Sequence, residues 1–148
     1  MEEKKIITIL EPNDEFTHEP DPVENYNESM YFNTFDMKQE IGGWFRLGNR
    51  VNEGYAEMSV CLYLPNGQVG FMFGRPKISS NLEMNAGGLQ IQVMKPFHEL
   101  KLNYEGKVCL LSDPKQMADP RTAFKENPIL DCSVSLQWDG MSPMFGGK

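Results

Sequence analysis

Apolar and polar residues alternate with a period of two over most of this chain, and that pattern predicts strands from end to end. The stretch Trp44 to Arg75, WFRLGNRVNEGYAEMSVCLYLPNGQVGFMFGR, carries the clearest signal. Asn66-Gly67 is the dipeptide that a two-residue type I′ turn demands, because both central residues need positive φ. With that turn at the tip, Leu64 faces Val69, Leu62 faces Phe71 and Val60 faces Phe73. Every such pair is apolar on both sides, as one buried sheet face requires. The other face carries Tyr55, Glu57, Ser59, Cys61 and Tyr63 opposite Gly70 and Met72, and the pattern leaves open whether it meets a lumen or solvent.

The remaining elements follow in order. Lys5–Leu10 reads as a short strand, and an acidic segment broken by Pro12, Pro20 and Pro22 follows it as a loop or wrapping arm. Along Asn25–Asp36, Tyr26, Glu28, Met30 and Phe32 share one side of a strand, with Asn27, Ser29, Tyr31 and Asn33 on the other. Gly42-Gly43 reads as a break before the strand Trp44–Leu47, and Gly48–Gly54 as a turn between strands. Ser79–Gly88 reads as a polar loop. Leu89, Ile91 and Val93 form a half-buried strand, and Leu100, Leu102 and Tyr104 another. Glu105-Gly106 is expected to return the chain into Val108–Leu111, by a tight turn or a three-residue loop with a bulge. Asp113-Pro114 and Asp119-Pro120 each place a capping residue before proline, predicting short helical turns near Lys115–Ala118 and Arg121–Lys125. Leu130, Cys132, Val134, Leu136 and Trp138 then alternate with polar residues as a last strand.

The sum is an all-β fold of seven or eight antiparallel strands with one or two short helical turns. The expected architecture is a barrel of the calycin, lipocalin-like type or a strongly curved sandwich, since closure removes exposed edges. At 148 residues the chain supports one compact domain. Residues 1–24 read as an N-terminal arm, and residues 25–148 as the barrel domain or one half of a two-domain protein.

Charge narrows the partners. A net charge of −7 and a pI near 4.8 disfavour nucleic acid and anionic membrane surfaces. No apolar run is long enough for a membrane span or signal peptide, and the chain reads as cytoplasmic. Cys61, Cys109 and Cys132 are far apart in strand-like runs, and His18 and His98 stand alone, so neither disulfides nor a metal site is expected, and no cofactor. Phosphate-loop and serine-nucleophile motifs are absent.

Three motifs carry a family resemblance. They are N-x-N-E-S at Asn25–Ser29, F-x-x-F-D at Phe32–Asp36, and G-W-F-R-x-G-N-R-x-N-E-G at Gly43–Gly54. The chain from about Asn25 onward resembles the N-terminal half of an uncharacterised bacterial family of lipocalin-like architecture. More distantly it resembles the carotenoid 1,2-hydratases (hydroxyneurosporene synthases), to which some natural-product Diels–Alderases are similar in fold. The resemblance implies a lipocalin-like barrel, an apolar ligand of isoprenoid or lipid type, and a second lipocalin-like half or a homo-oligomer as partner. It assigns no catalytic residue.

Glu28 and Glu53 are the candidate catalytic acids, with Asp36 beside them. Protonating an alkene needs a carboxyl kept neutral by an apolar setting, with aromatic rings to stabilise the cation. The bland alternative has Glu28 bonding a backbone amide or an arginine while Asp36 and Glu53 hold turns. Candidate ligand contacts are Tyr26, Tyr31, Trp44, Arg46, Tyr55 and Tyr63; Arg46, Arg50 and Arg75 could instead make structural ion pairs. Asn49 and Asn52 read as turn residues. Three functions compete: a β-barrel binding a small hydrophobic molecule, a hydratase or isomerase acting on an apolar alkene, and a domain that packs on a partner half. An enclosed apolar cavity with one unpaired buried carboxylate would favour the enzyme, a cavity without such a carboxylate the binder, and a filled barrel the packing domain.

Overall fold

The computed structural model describes residues 10–142 and 144. The predicted strand Lys5–Leu10 lies outside them except for Leu10, which belongs to no strand. Eight strands follow: β1 (Glu28–Asp36), β2 (Ile41–Arg50), β3 (Tyr55–Tyr63), β4 (Val69–Gly74), β5 (Met84–Ala86), β6 (Leu89–Lys95), β7 (Glu99–Leu111) and β8 (Ile129–Asp139). One helix, α1 (Pro120–Glu126), and short 3-10 turns complete the chain. Asp113 and Asp119 cap a 3-10 turn at Pro114–Ala118 and helix α1, each accepting a backbone N–H two or three residues on.

All neighbouring strands are antiparallel, in the order β1-β2-β3-β4-β7-β6-β5, with β8 also on β7. Long β7 joins the two halves. It pairs β6 through Glu99–Tyr104, β4 through Cys109–Leu111, and β8 along nearly its whole length. Among the described residues β1 and β8 do not pair with each other, so the sheet is curved but not closed. Phe32 and Trp138, 4.9 Å between ring centroids, meet between those two strands.

The larger of two core clusters lies on the inside of the curve, and the smaller joins Cys109 and Leu111 to Ala123 of α1. Phe45, Leu47, Met58 and Val60 from the first half meet Leu89, Ile91, Leu102 and Tyr104 from the second, all buried. Leu47, Val60, Leu89 and Leu102 have no exposed surface at all. Each such side chain contributes about 1.5–3 kcal/mol relative to an exposed one. Among the described residues these side chains pack against one another on the inside of the curve.

Four local expectations need correction. At Asn66-Gly67 the loop has three residues, Pro65–Gly67, and only Gly67 takes positive φ, at 80°. Leu64 and Gln68 close it through the Leu64 N–H, and Gly67 N–H donates to Leu64 O. Proline at the second position of a type I turn followed by glycine in the left-handed region wins over the two-residue alternative. The register therefore slips by one: Val60 faces Met72, Cys61 faces Phe71 and Ser59 faces Phe73. Phe71 and Phe73 consequently leave the core face for the outer one.

The paired positive φ values occur instead at Gly87 and Gly88, 62° and 86°, which join β5 to β6 where a polar loop was expected. Gly42-Gly43 does not break the chain but lies within β2. Glu105-Gly106 is no turn either; β7 runs straight through it. Gly106 is there for room, since a Cβ would sit 2.7 Å from Cζ of Tyr104. The Tyr104 ring lies back over it, and the hydroxyl donates to Lys107 O at 2.7 Å.

Candidate functional site

Two assemblies gather the candidate residues, on different surfaces. The first centres on Glu28 at the start of β1, where the segment Leu10–Asn27 crosses the sheet as a strap. Its carboxylate accepts four hydrogen bonds: from the His18 backbone N–H at 2.9 Å, Asn81 Nδ2 at 2.7 Å, Tyr26 Oη at 3.1 Å and the His18 ring Nδ1 at 2.6 Å. Desolvation pushes its pKa up, but the bonds from His18, Asn81 and Tyr26 outweigh it and hold the carboxyl below the ordinary glutamate value. Burial and the Glu28 charge push the Tyr26 phenol up, so it stays a donor.

The network runs inward from there. Asn81 Nδ2 also donates to His18 O, and Asn49, 1% exposed, donates to Asn81 Oδ1 and Glu83 O. Asn52 donates to Asp21 O and Val23 O. Two asparagines read as turn residues thus fasten the strap and the loop before β5. Further along, Glu15 accepts the Phe97 N–H at 2.5 Å and Thr17 donates to Leu82 O at 3.2 Å. Phe97 itself has φ 67°, an uncommon conformation for an aromatic residue.

The second assembly is the outer face of β1–β4. The register places Trp44, Cys61 and Phe71 side by side across β2–β4, with Tyr31 of β1, which faces Arg46, lying diagonal to Trp44. Ring centroids are 6.2 Å apart from Tyr31 to Trp44, 6.1 Å from Trp44 to Phe71 and 5.8 Å from Phe71 to Phe73. Phe124 of α1 closes the row edge-on at 5.6 Å from Phe73. The helix covers the end of this face through Ala123 and Phe124 over Cys109, Leu111 and Phe71. Beyond it Tyr31 is 58% exposed, Phe73 53% and Phe35 51%, with Tyr63 also exposed.

Charge lies at one end of that face and is paired within the chain. Arg46 reaches Glu57 at 3.3 Å, and Arg75 reaches the same carboxylate at 3.7 Å. Gly48 gives Arg46 its space, because a Cβ there would sit 3.0 Å from the guanidinium. Arg50 pairs with Glu53 at 2.5 Å, and Tyr55 lies between the Arg50 and Arg75 guanidinium groups, 5.9 and 5.3 Å from its ring. Asp36 accepts from the Lys38 and Gln39 amides in the β1–β2 turn.

The candidate contacts therefore divide. Tyr31, Trp44 and Tyr63 share the outer face, Arg46 and Tyr55 lie at its charged end, and Tyr26 belongs to the Glu28 network. They do not ring a common interior cavity. Phe71, Phe73 and Phe124 went unrecognised as members of the row; the proline before Asn66-Gly67 was the signal that would have found two of them. His18 and Asn81 were missed because nothing in their spacing relates them to Glu28.

Cys61 sits in the row with its thiol pushed up to about 11 by burial. Thiolate is the reactive form, so Cys61 is expected to resist a disulfide reagent at pH 8 in the native protein and to react fully in guanidinium chloride. Thiol titration in both conditions checks this.

Among the described residues no cluster of three potential ligands could hold a metal ion, and no helix is long and apolar enough to cross a membrane. No curated protein and no solved structure matches the chain. A family model described as a domain of unknown function, DUF7064, matches residues 11–148. By that match across most of its length, with this open antiparallel sheet as its fold, the chain belongs to the DUF7064 family.

Proposed function

We propose that the domain works as a docking module, with the outer aromatic face of β1–β4 covered by a second β-domain of the same kind. The observation that carries this reading is the contrast between core side chains packed on the inside of the curve and a row of aromatic rings left in solvent. Exposed apolar surface of this extent on one sheet face marks an interaction site more often than chance scatter does. Arg46 and Arg75 share the single Glu57 carboxylate, so the charge at that end of the face is largely paired within the chain, with one positive charge in excess. The resemblance to lipocalin-like proteins of two halves, and beyond them to carotenoid 1,2-hydratases, supports a partner of similar build.

The alternatives gain less. A hydrophobic ligand inside the curve would have to take space where the core side chains pack against one another. Alkene protonation needs a neutral acid, whereas Glu28 is held ionised by its donors and Glu53 is paired with Arg50. Sedimentation equilibrium at rising protein concentration tests the reading. The expected result is self-association of the wild type that Phe73→Ser and Tyr31→Ser weaken about tenfold or more, with unfolding midpoints little changed. A wild type that stays monomeric at high concentration, with no binding to a separately made second β-domain of its own protein, would count against it.

A further inference from the structure

On the strap side an open cleft of about 240 Å³ lies between the strap, β1 and the β5–β6 hairpin. Phe16, Met30, Met84, Ile91, Val93 and Met94 supply its apolar lining. Phe16 and Met94 are themselves half exposed at its rim, as is neighbouring Leu82 to a greater degree. Three exposed apolar side chains around one concavity are a poor arrangement for a surface with nothing to cover. They suit a site that buries a guest.

The cleft is also held in shape. Glu15 and Thr17, the residues on either side of Phe16, are tied to Phe97 N–H and Leu82 O, and His18 is tied to Glu28. Phe16 is therefore positioned before anything binds, which lowers the ordering cost of binding. The polar lining is one-sided. Glu15 and Glu83 contribute carboxylates, with Asn85, Gln90 and Gln92 as amides, and among the described residues no lysine or arginine lines the cleft. Bringing a carboxylate or phosphate guest beside those two acids would oppose like charges without compensation.

We propose that this cleft is a binding site for a small apolar molecule with a cationic head, such as an arylalkylamine, and that it rejects the matching acid. Its volume, somewhat under that of drug-sized sites, limits the guest to roughly a dozen non-hydrogen atoms. The methionines give a soft lining that adapts to guest shape, and Phe16 offers a face to the cation.

A matched pair of probes tests this by amide chemical-shift titration of the whole chain. Phenethylamine is expected to saturate, with shifts confined to Glu15–Thr17, Leu82–Asn85 and β6. 3-Phenylpropanoate, equal in body and opposite in charge, is expected to bind at least tenfold more weakly. Phe16→Ala and Met94→Gln should each weaken the amine several-fold, and Glu83→Gln should narrow the amine-to-acid ratio. Equal binding of both probes, absence of saturation by 10 mM amine (roughly the weakest useful affinity for so small a ligand), or shifts mapping to Tyr31, Trp44 and Phe73 would each overturn the proposal. The last outcome would locate apolar binding on the outer face instead.

Discussion

Replacing Phe45 by alanine is expected to lower stability by about 3–5 kcal/mol, the largest effect of any single truncation proposed for this chain. Phe45 is 1% exposed and lies in the core shared by both halves of the sheet. Its flanks are backbone pairs on both sides, Phe32 of β1 and Val60 of β3, so neither strand can collapse into the space it leaves. Both the lost transfer energy and the cavity therefore count. For a domain of this size the loss corresponds to a fall in melting temperature of about 10 °C or more. Trp44→Ala, one residue away but on the outer face, is the control. It should cost much less stability while changing self-association. Urea unfolding of both variants, followed by tryptophan fluorescence for the first and circular dichroism for both, checks the contrast.

The second large effect is expected at Glu28. Changing it to glutamine presents an amide N–H₂ to a pocket of donors, where His18, Asn81 and Tyr26 all require an acceptor. The expected cost is about 1.5–3 kcal/mol, the range for hydrogen bonds to a charged group. Its pH dependence has a defined sign. The folded state holds this carboxyl below its ordinary value, so ionised Glu28 favours folding. The contribution is complete above the unfolded glutamate pKa and fades as pH falls through the lower folded value. The stability gap between wild type and Glu28→Gln should thus be constant near neutrality and shrink in acid. A gap that widened on acidification would show that the carboxyl is neutral in the fold. That outcome would return Glu28 to the role of acid.

The strands were legible because period-two alternation survives in nearly all of them, from Met30 and Phe32 to Leu136 and Trp138. The helical turns were legible from two Asp-Pro pairs acting through local hydrogen bonds. What escaped the sequence was long-range or depended on one residue of register. A single proline changed the loop at Asn66-Gly67, and that slip alone moved Phe71 and Phe73 from core to outer face. Gly106 looked like a turn because glycine serves both conformational freedom and space, and only Tyr104 lying over it decides which. The Glu28 network draws on residues 10 and 53 positions away, joined by side chains whose pairing leaves no periodic trace.

The division of labour along β7 has a consequence for how the chain opens and closes. Only three residue pairs, Val69–Leu111, Gly70–Leu110 and Phe71–Cys109, stitch β4 to β7 and hence one half of the sheet to the other. β1 to β4 form a meander of sequence-local hairpins, and such contacts form early at little loop-closure cost. Closing β4 onto β7 spans some forty residues and completes the shared core, so it belongs late in the folding reaction. Amide protons of that short ladder should exchange only through global unfolding, although they lie at the end of a strand where fraying would otherwise be expected. The seam between the halves is the latch of the fold.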